Sequence, residues 1–112
     1  MEQQPSVDEL VEHVTDHLCE EHAEALEELS DGEIERRVRA GLERARAHGI
    51  TDAEPTTAFV TLMFLVGPGF DQHPAIAAAL KNARGTPAER LRTLFKHTSE
   101  QDWDEAAKLG SW

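Results

Sequence analysis

His13, His17, Cys19 and His22 fall within ten residues, and His13 and His17 have the i, i+4 spacing that can grip a metal ion from one helix. Zinc would need two more well-placed ligands and a protected outer shell. On a helical wheel His13 and His17 lie toward the polar side, and Cys19 falls across the apolar stripe from them. One helix cannot present all four to one ion, so a solvated histidine cluster is expected, with no metal and no cofactor. Cys19 is no better placed as a nucleophile: it lies mid-helix among glutamates, whose charge disfavours the reactive thiolate. Paired carboxylates for acid–base work cannot be picked out, because 22 acids in one chain make close pairs by chance. Gly67-Pro68-Gly69 lacks the downstream Gly-Lys-Ser/Thr of a phosphate loop and follows an apolar segment read as helix. The cations Arg36, Arg37, Arg39, Arg44 and Arg46 could hold an anion, but the acids beside them make internal neutralisation the expectation. With no catalytic constellation left, the residues read as a non-enzyme.

The elements that carry these residues are helices. Ser6 with Glu9 forms a capping-box pattern, and Val7, Leu10, Val11, Val14, Leu18, Ala25, Leu26 and Leu29 follow on one 3.6-period stripe. A long first helix over about Val7 to Leu29 is expected. From Met1 to Glu35 there are thirteen acids and no Lys or Arg, a face costly by self-repulsion unless something positive lies beside it. Ser30 and Glu33 cap a second helix to Ala47, with Ile34, Val38, Leu42 and Ala45 inward and the arginines outward. An acidic helix and an Arg-rich one joined by a short turn predict an antiparallel hairpin with charges meeting across it.

His48-Gly49-Ile50 closes the second helix, and Thr51 with Glu54 opens a third. Its stretch Ala58–Val66 carries one hydroxyl and no charge, which predicts a central helix covered on every side, with Phe59, Leu62, Met63, Phe64 and Leu65 in the core. Gly67-Pro68-Gly69-Phe70-Asp71 is the structural turn that stops it, and Gly67, Gly69 or both are expected at positive φ. Asp71 or His73 then caps a helix begun at Pro74. Thr86-Pro87-Ala88-Glu89 caps another, with Leu91, Leu94 and Phe95 inward. Ser99 with Asp102 starts a last short helix. The predicted fold class is all-α: a compact bundle of five to six helices around a buried central one, in a single domain over 1–112, with 1–5 and 110–112 frayed.

Composition narrows the partners. At net charge −11 the chain suits neither nucleic acid nor an anionic membrane surface, both of which attract basic proteins. A single cysteine excludes an intrachain disulfide and fits a reducing cytosol. Residues 1–12 carry no basic segment of a signal peptide, and the longest apolar run falls far short of a bilayer span, so a cytoplasmic protein is expected.

From His48 to about Leu94, the chain combines a helix ending in Gly49-Ile50, the Phe59-Val60-Thr61-Leu62-Met63-Phe64 helix, the Gly67-Pro68-Gly69-Phe70-Asp71 turn with Pro74, and a Pro87-Ala88-Glu89-Arg90-Leu91 helix start. This block, a little under half of the chain, resembles small uncharacterised helical proteins encoded in type VI secretion gene clusters beside effectors and their loading adaptors. Residues 1–47 carry no such resemblance. The resemblance implies an accessory role, as chaperone or co-adaptor for an effector, with an effector or loading adaptor as the protein partner and no catalytic residues. An immunity protein that plugs a basic toxin cleft is the alternative reading of the acidic surface. For the contact itself, Trp103 and Trp112 stand out, because Trp is enriched at interface hot spots and Ser99, Glu100, Gln101, Asp102, Asp104 and Glu105 supply a polar ring. The competing reading has Trp103 packed back as a lid and Trp112 as a frayed end.

Overall fold

Segments rich in helix caps and 3.6-period stripes fold as helices. The structure, a computed structural model, describes residues 6–82 and 85–110, and these are all-α, with no strand among them. Of the residues expected to fray, 1–5 and 111–112 lie outside the described residues, and Gly110 is described with its backbone close against Gly69. Among the described residues six α-helices follow in order: α1 (Val7–Glu21), α2 (Asp31–Ala47), α3 (Ala53–Leu65), α4 (Pro74–Asn82), α5 (Pro87–Lys96) and α6 (Glu100–Ala106). Short 3-10 turns occupy Ala23–Ala25 and Phe70–Gln72. The chain divides into two compact units, Met1–Thr61 and Leu62–Trp112.

In the first unit, Ser6 Oγ accepts the Glu9 N–H and starts α1, whose buried stripe is Leu10, Val11, Val14 and Leu18. The helix stops at Glu21, well short of the predicted Leu29. The cause is electrostatic: the C-terminal carbonyls carry partial negative charge, and here the final turn holds Glu20 and Glu21 with no basic residue to offset them. His22 leaves helical geometry at φ −138°, and the 3-10 turn that follows lets Leu26 bury separately. Ser30 Oγ accepts the Glu33 N–H and starts α2, with Ile34, Val38, Leu42 and Ala45 buried. The end of α2 is a Schellman motif: Gly49, at φ 78°, donates to Arg46 O, and Ile50 donates to Ala45 O while its side chain is fully buried.

Helix α3 is less enclosed than its composition predicts. Phe59, Val60 and Met63 are buried, but Leu62 and Phe64 are half-buried and Leu65 is 49% exposed. At about 100° per residue, burying the face through Thr56, Phe59, Val60 and Met63 turns Ala58, Leu62 and Leu65 to the opposite side. An all-apolar run therefore does not guarantee an all-round core. Thr57 and Thr61 satisfy their hydroxyls on the carbonyls one turn back, at 2.7 Å each, whereas the buried Thr56 hydroxyl has no partner among the described residues.

In the second unit, the turn after α3 has a different rationale from the one expected. Neither Gly67 nor Gly69 adopts positive φ; Gly69 sits at −109°. What requires glycine is close backbone approach. A Cβ on Gly67 would lie 2.9 Å from Ala107 O, and one on Gly69 would lie 2.6 Å from Leu109 O, the atom that accepts the Gly69 N–H. The positive φ occurs across that contact, at Gly110 (72°). His73 caps α4, its carbonyl accepting the Ala77 N–H and its ring Nδ1 the Ala75 N–H, with Pro74 at the first helical position. Thr86 caps α5, and Ser99 with Asp102 forms a complete capping box on α6.

Truncating Phe59→Ala should cost about 3–5 kcal/mol in chemical denaturation, as for other large buried aromatics. Thr56→Val should leave stability equal or raise it by up to about 1 kcal/mol, because an orphaned hydroxyl is removed; a clear loss would mean that this hydroxyl is partnered. Gly69→Ala should lower the melting temperature despite its permissive φ, at a cost of about 1–3 kcal/mol from overpacking. Gly32→Ala, whose Cβ meets nothing within 4 Å, is the control expected to stabilise.

Candidate functional site

Charge is distributed unevenly between the units. Residues 1–61 hold sixteen of the 22 acids and five of the eleven basic residues, and residues 62–112 hold six of each. The whole net charge of −11 therefore belongs to the first unit. The predicted charge exchange across the α1–α2 hairpin is mostly absent. Arg36 and Arg37 both bind Glu33 on their own helix, and Arg39 divides between Glu35 on α2 and Asp8 on α1. Asp8–Arg39, at 3.0 Å, is the one ion pair joining α1 to α2 among the described residues. Arginine at i+3 or i+4 from a carboxylate reaches it within one turn, which favours the local pairs.

The exposed carboxylates of Glu12, Asp16, Glu20, Glu24 and Glu27 consequently have no basic side chain against them among the described residues. Glu12, Asp16 and Glu20 recur at i, i+4, a spacing at which like charges repel. Glu12 and Asp16 also face Asp31 and Glu35 across a groove of about 300 Å³ floored by Val11 and Thr15. Glu33 marks the contrast. The Arg36 fork at 2.9 and 2.5 Å, with Arg37 at 2.8 Å, holds its carboxyl down from the ordinary 4.5 to about 2.

The histidine cluster does not converge. His13 and His17 line one cleft with Ala53, Glu54, Thr57 and Ala58, about 490 Å³ in volume. His17 meets His22 edge-on at 5.8 Å, and Cys19 is exposed. Among the described residues, three potential ligand atoms come within 4.8 Å of one another only at His73, Asp102 and Glu105, in the second unit. The hydrogen bonds there oppose a metal. Nδ1 of His73 accepts the Ala75 N–H at 3.2 Å, which assigns the ring hydrogen to Nε2, facing Glu105 Oε1 at 3.5 Å. A metal on Nε2 would move that hydrogen to Nδ1, against the Ala75 N–H. Asp102 meanwhile accepts the Ser99 N–H at 2.9 Å. This group ties α6 to the start of α4.

Trp103 is built into the second unit. Its ring stacks on buried Phe70 (5.8 Å, 23°) and on Phe95 (5.4 Å, 18°), and its indole N–H donates to Thr98 Oγ1 at 2.9 Å. With Ala106 fully buried and Leu109 O bound to Gly69, the segment after Ser99 is part of that unit's packing. Phe95, expected inward, is 54% exposed and is the outer ring of this stack. Trp112 lies outside the described residues. Phe70 and Asp71 of the structural turn are buried, as are Gly67 and Gly69, while Pro68 is half-buried. Residue-type reasoning missed the α3 contribution to the cleft, since Ala53, Thr57 and Ala58 carry no chemical signal of their own.

Glu33 should titrate with a midpoint near 2 by NMR, and Arg36→Gln with Arg37→Gln should move it toward 4.5. Because the folded value is depressed, its stabilising contribution is full above pH 4.5 and is lost as pH falls from 4.5 toward 2. A midpoint unchanged in the double variant would show that the arginines are not its cause. Comparison with known protein families, with curated proteins and with solved structures returns no match to this chain.

Proposed function

We propose that this chain is a non-enzymatic protein-binding accessory factor, a chaperone or co-adaptor for loading bacterial type VI secretion effectors, and that the acidic face of α1 is its contact surface. The observation that carries the reading is the row of exposed carboxylates Glu12, Asp16 and Glu20, which have no ion pair among the described residues, while Arg36 and Arg37 pair within their own helix and Arg39 reaches α1 only at Asp8. A row of that kind is repulsive in the free chain and is relieved by a basic partner, and its field accelerates encounter at low salt. The resemblance of residues 48–94 to helical proteins of effector clusters supplies the biological setting. Trp103, held in the aromatic stack of the second unit, is the weaker candidate for the contact. Among the described residues no helix is long and apolar enough to cross a membrane.

The same acidic face also favours a second reading, an immunity protein that covers a basic toxin cleft. One assay separates them: an immunity protein rescues cells producing the toxin, whereas a loading factor supports export without neutralising activity.

The tagged chain should co-purify an effector or loading adaptor encoded beside it, in a salt-sensitive manner. The triple variant Glu12→Lys, Asp16→Lys, Glu20→Lys should lose that capture while keeping its helical circular dichroism. Failure to bind any neighbouring adaptor or effector, with full secretion in a deletion strain, would rule the role out.

A further inference from the structure

The cleft beside α1 is chemically unlike the surface around it. Its walls are Ala53, Thr57 and Ala58 of α3 and the rings of His13 and His17, with Glu54 as its one acid. At about 490 Å³ it falls within the range of pockets that hold small organic groups, about 300–1,000 Å³. Methyl groups and imidazole faces suit an apolar or aromatic guest.

The rim has the opposite character. On α1 the helical neighbours of His13 and His17, three or four residues away, include Glu9, Asp16, Glu20 and Glu21, all exposed. An apolar slot with Glu54 in its wall and carboxylates along the α1 side has the layout of an interface hot spot, an anchor pocket beside a polar rim. Charge complementarity then selects the occupant. The unit that contains the cleft carries all of the net −11, so an anionic metabolite or a second copy of this chain is repelled. A segment with Lys and Arg around an apolar residue satisfies both the rim and the slot.

We propose that the cleft lined by His13, His17, Ala53, Glu54, Thr57 and Ala58 receives an aromatic or large apolar side chain from a Lys/Arg-rich segment of the partner protein. This rests on the protein-binding reading above and specifies its partner: the acidic rim supplies attraction, and the slot supplies discrimination among basic sequences.

Two short fluorescent peptides test it, both Lys/Arg-rich and identical except for a central Trp in one and Gly in the other. Binding to the full chain is read by anisotropy at two salt concentrations, with a chelator present so that no metal bridges the histidines. The Trp peptide should bind about tenfold tighter than the Gly peptide. Its amide shift changes in NMR should centre on His13, His17, Ala53 and Ala58. Ala58→Trp places a bulky side chain at an exposed position in the slot and should erase the preference for Trp. Glu54→Lys, also at an exposed position, should weaken both peptides and guards against misfolding of the first variant. Equal binding of the two peptides, unaffected by Ala58→Trp, would overturn the anchor slot while leaving the acidic contact surface standing. No binding of either peptide at low salt would overturn both the slot and the acidic surface as the partner's site.

Discussion

Like-charge repulsion along α1 is the constraint to which the first unit is fitted. The helix is held by burial of Leu10, Val11, Val14 and Leu18, and each further turn adds carboxylates with no cation to meet them. Helix continuation past Glu21 would set more acid against the negative end of the dipole, so the chain breaks into a 3-10 turn and Leu26 buries on its own terms. Helix α2 relieves the repulsion only at Asp8, through Arg39, because Arg36 and Arg37 find Glu33 within a turn of their own backbone. The unit therefore retains a field that only something outside it can neutralise. Fold and proposed function share that cause.

The second unit depends on a different kind of contact. The turn after α3 and the segment after α6 meet backbone to backbone, with no room for a Cβ at Gly67 or Gly69. Around that meeting point Phe70, Trp103 and Phe95 stack, and His73 faces Glu105 while capping α4. Residue types that suggest chemistry in a list, such as a histidine beside two acids or a tryptophan in a polar ring, are used here for packing and capping. The imidazole is the clearest case: both ring nitrogens are directed at partners, which leaves no bare lone pair for an ion.

Local rules were legible in the sequence because they act over three or four residues. Ser6, Ser30, Thr86 and Ser99 begin helices where their hydroxyls reach the third N–H onward, and Gly49 ends one where a left-handed residue is needed. The stripes of α1 and α2 were legible by the same period. The all-α class follows from those signals alone. So does the acidic first third of the chain, which is a property of composition.

What the sequence left open depends on distant partners. Whether Leu65 and Phe95 are covered is decided by what packs against their helices, and an apolar residue type carries no record of that. Gly67 and Gly69 looked like conformational glycines, but their requirement is steric and comes from Ala107 and Leu109, some forty residues along the chain. The arginines of α2 could have paired with α1 or with their own helix, and only side-chain reach in three dimensions turned Arg36 and Arg37 to Glu33 and left Arg39 shared between Glu35 and Asp8. The cleft joins two histidines to two alanines and a threonine from another helix, groups with no spacing in common. The sequence alone determined the helices and the sign of the surface, because caps, periodicity and charge are local. Tertiary structure decided which carboxylates stay uncompensated and where an apolar slot opens among them, because both depend on atoms brought together only by folding.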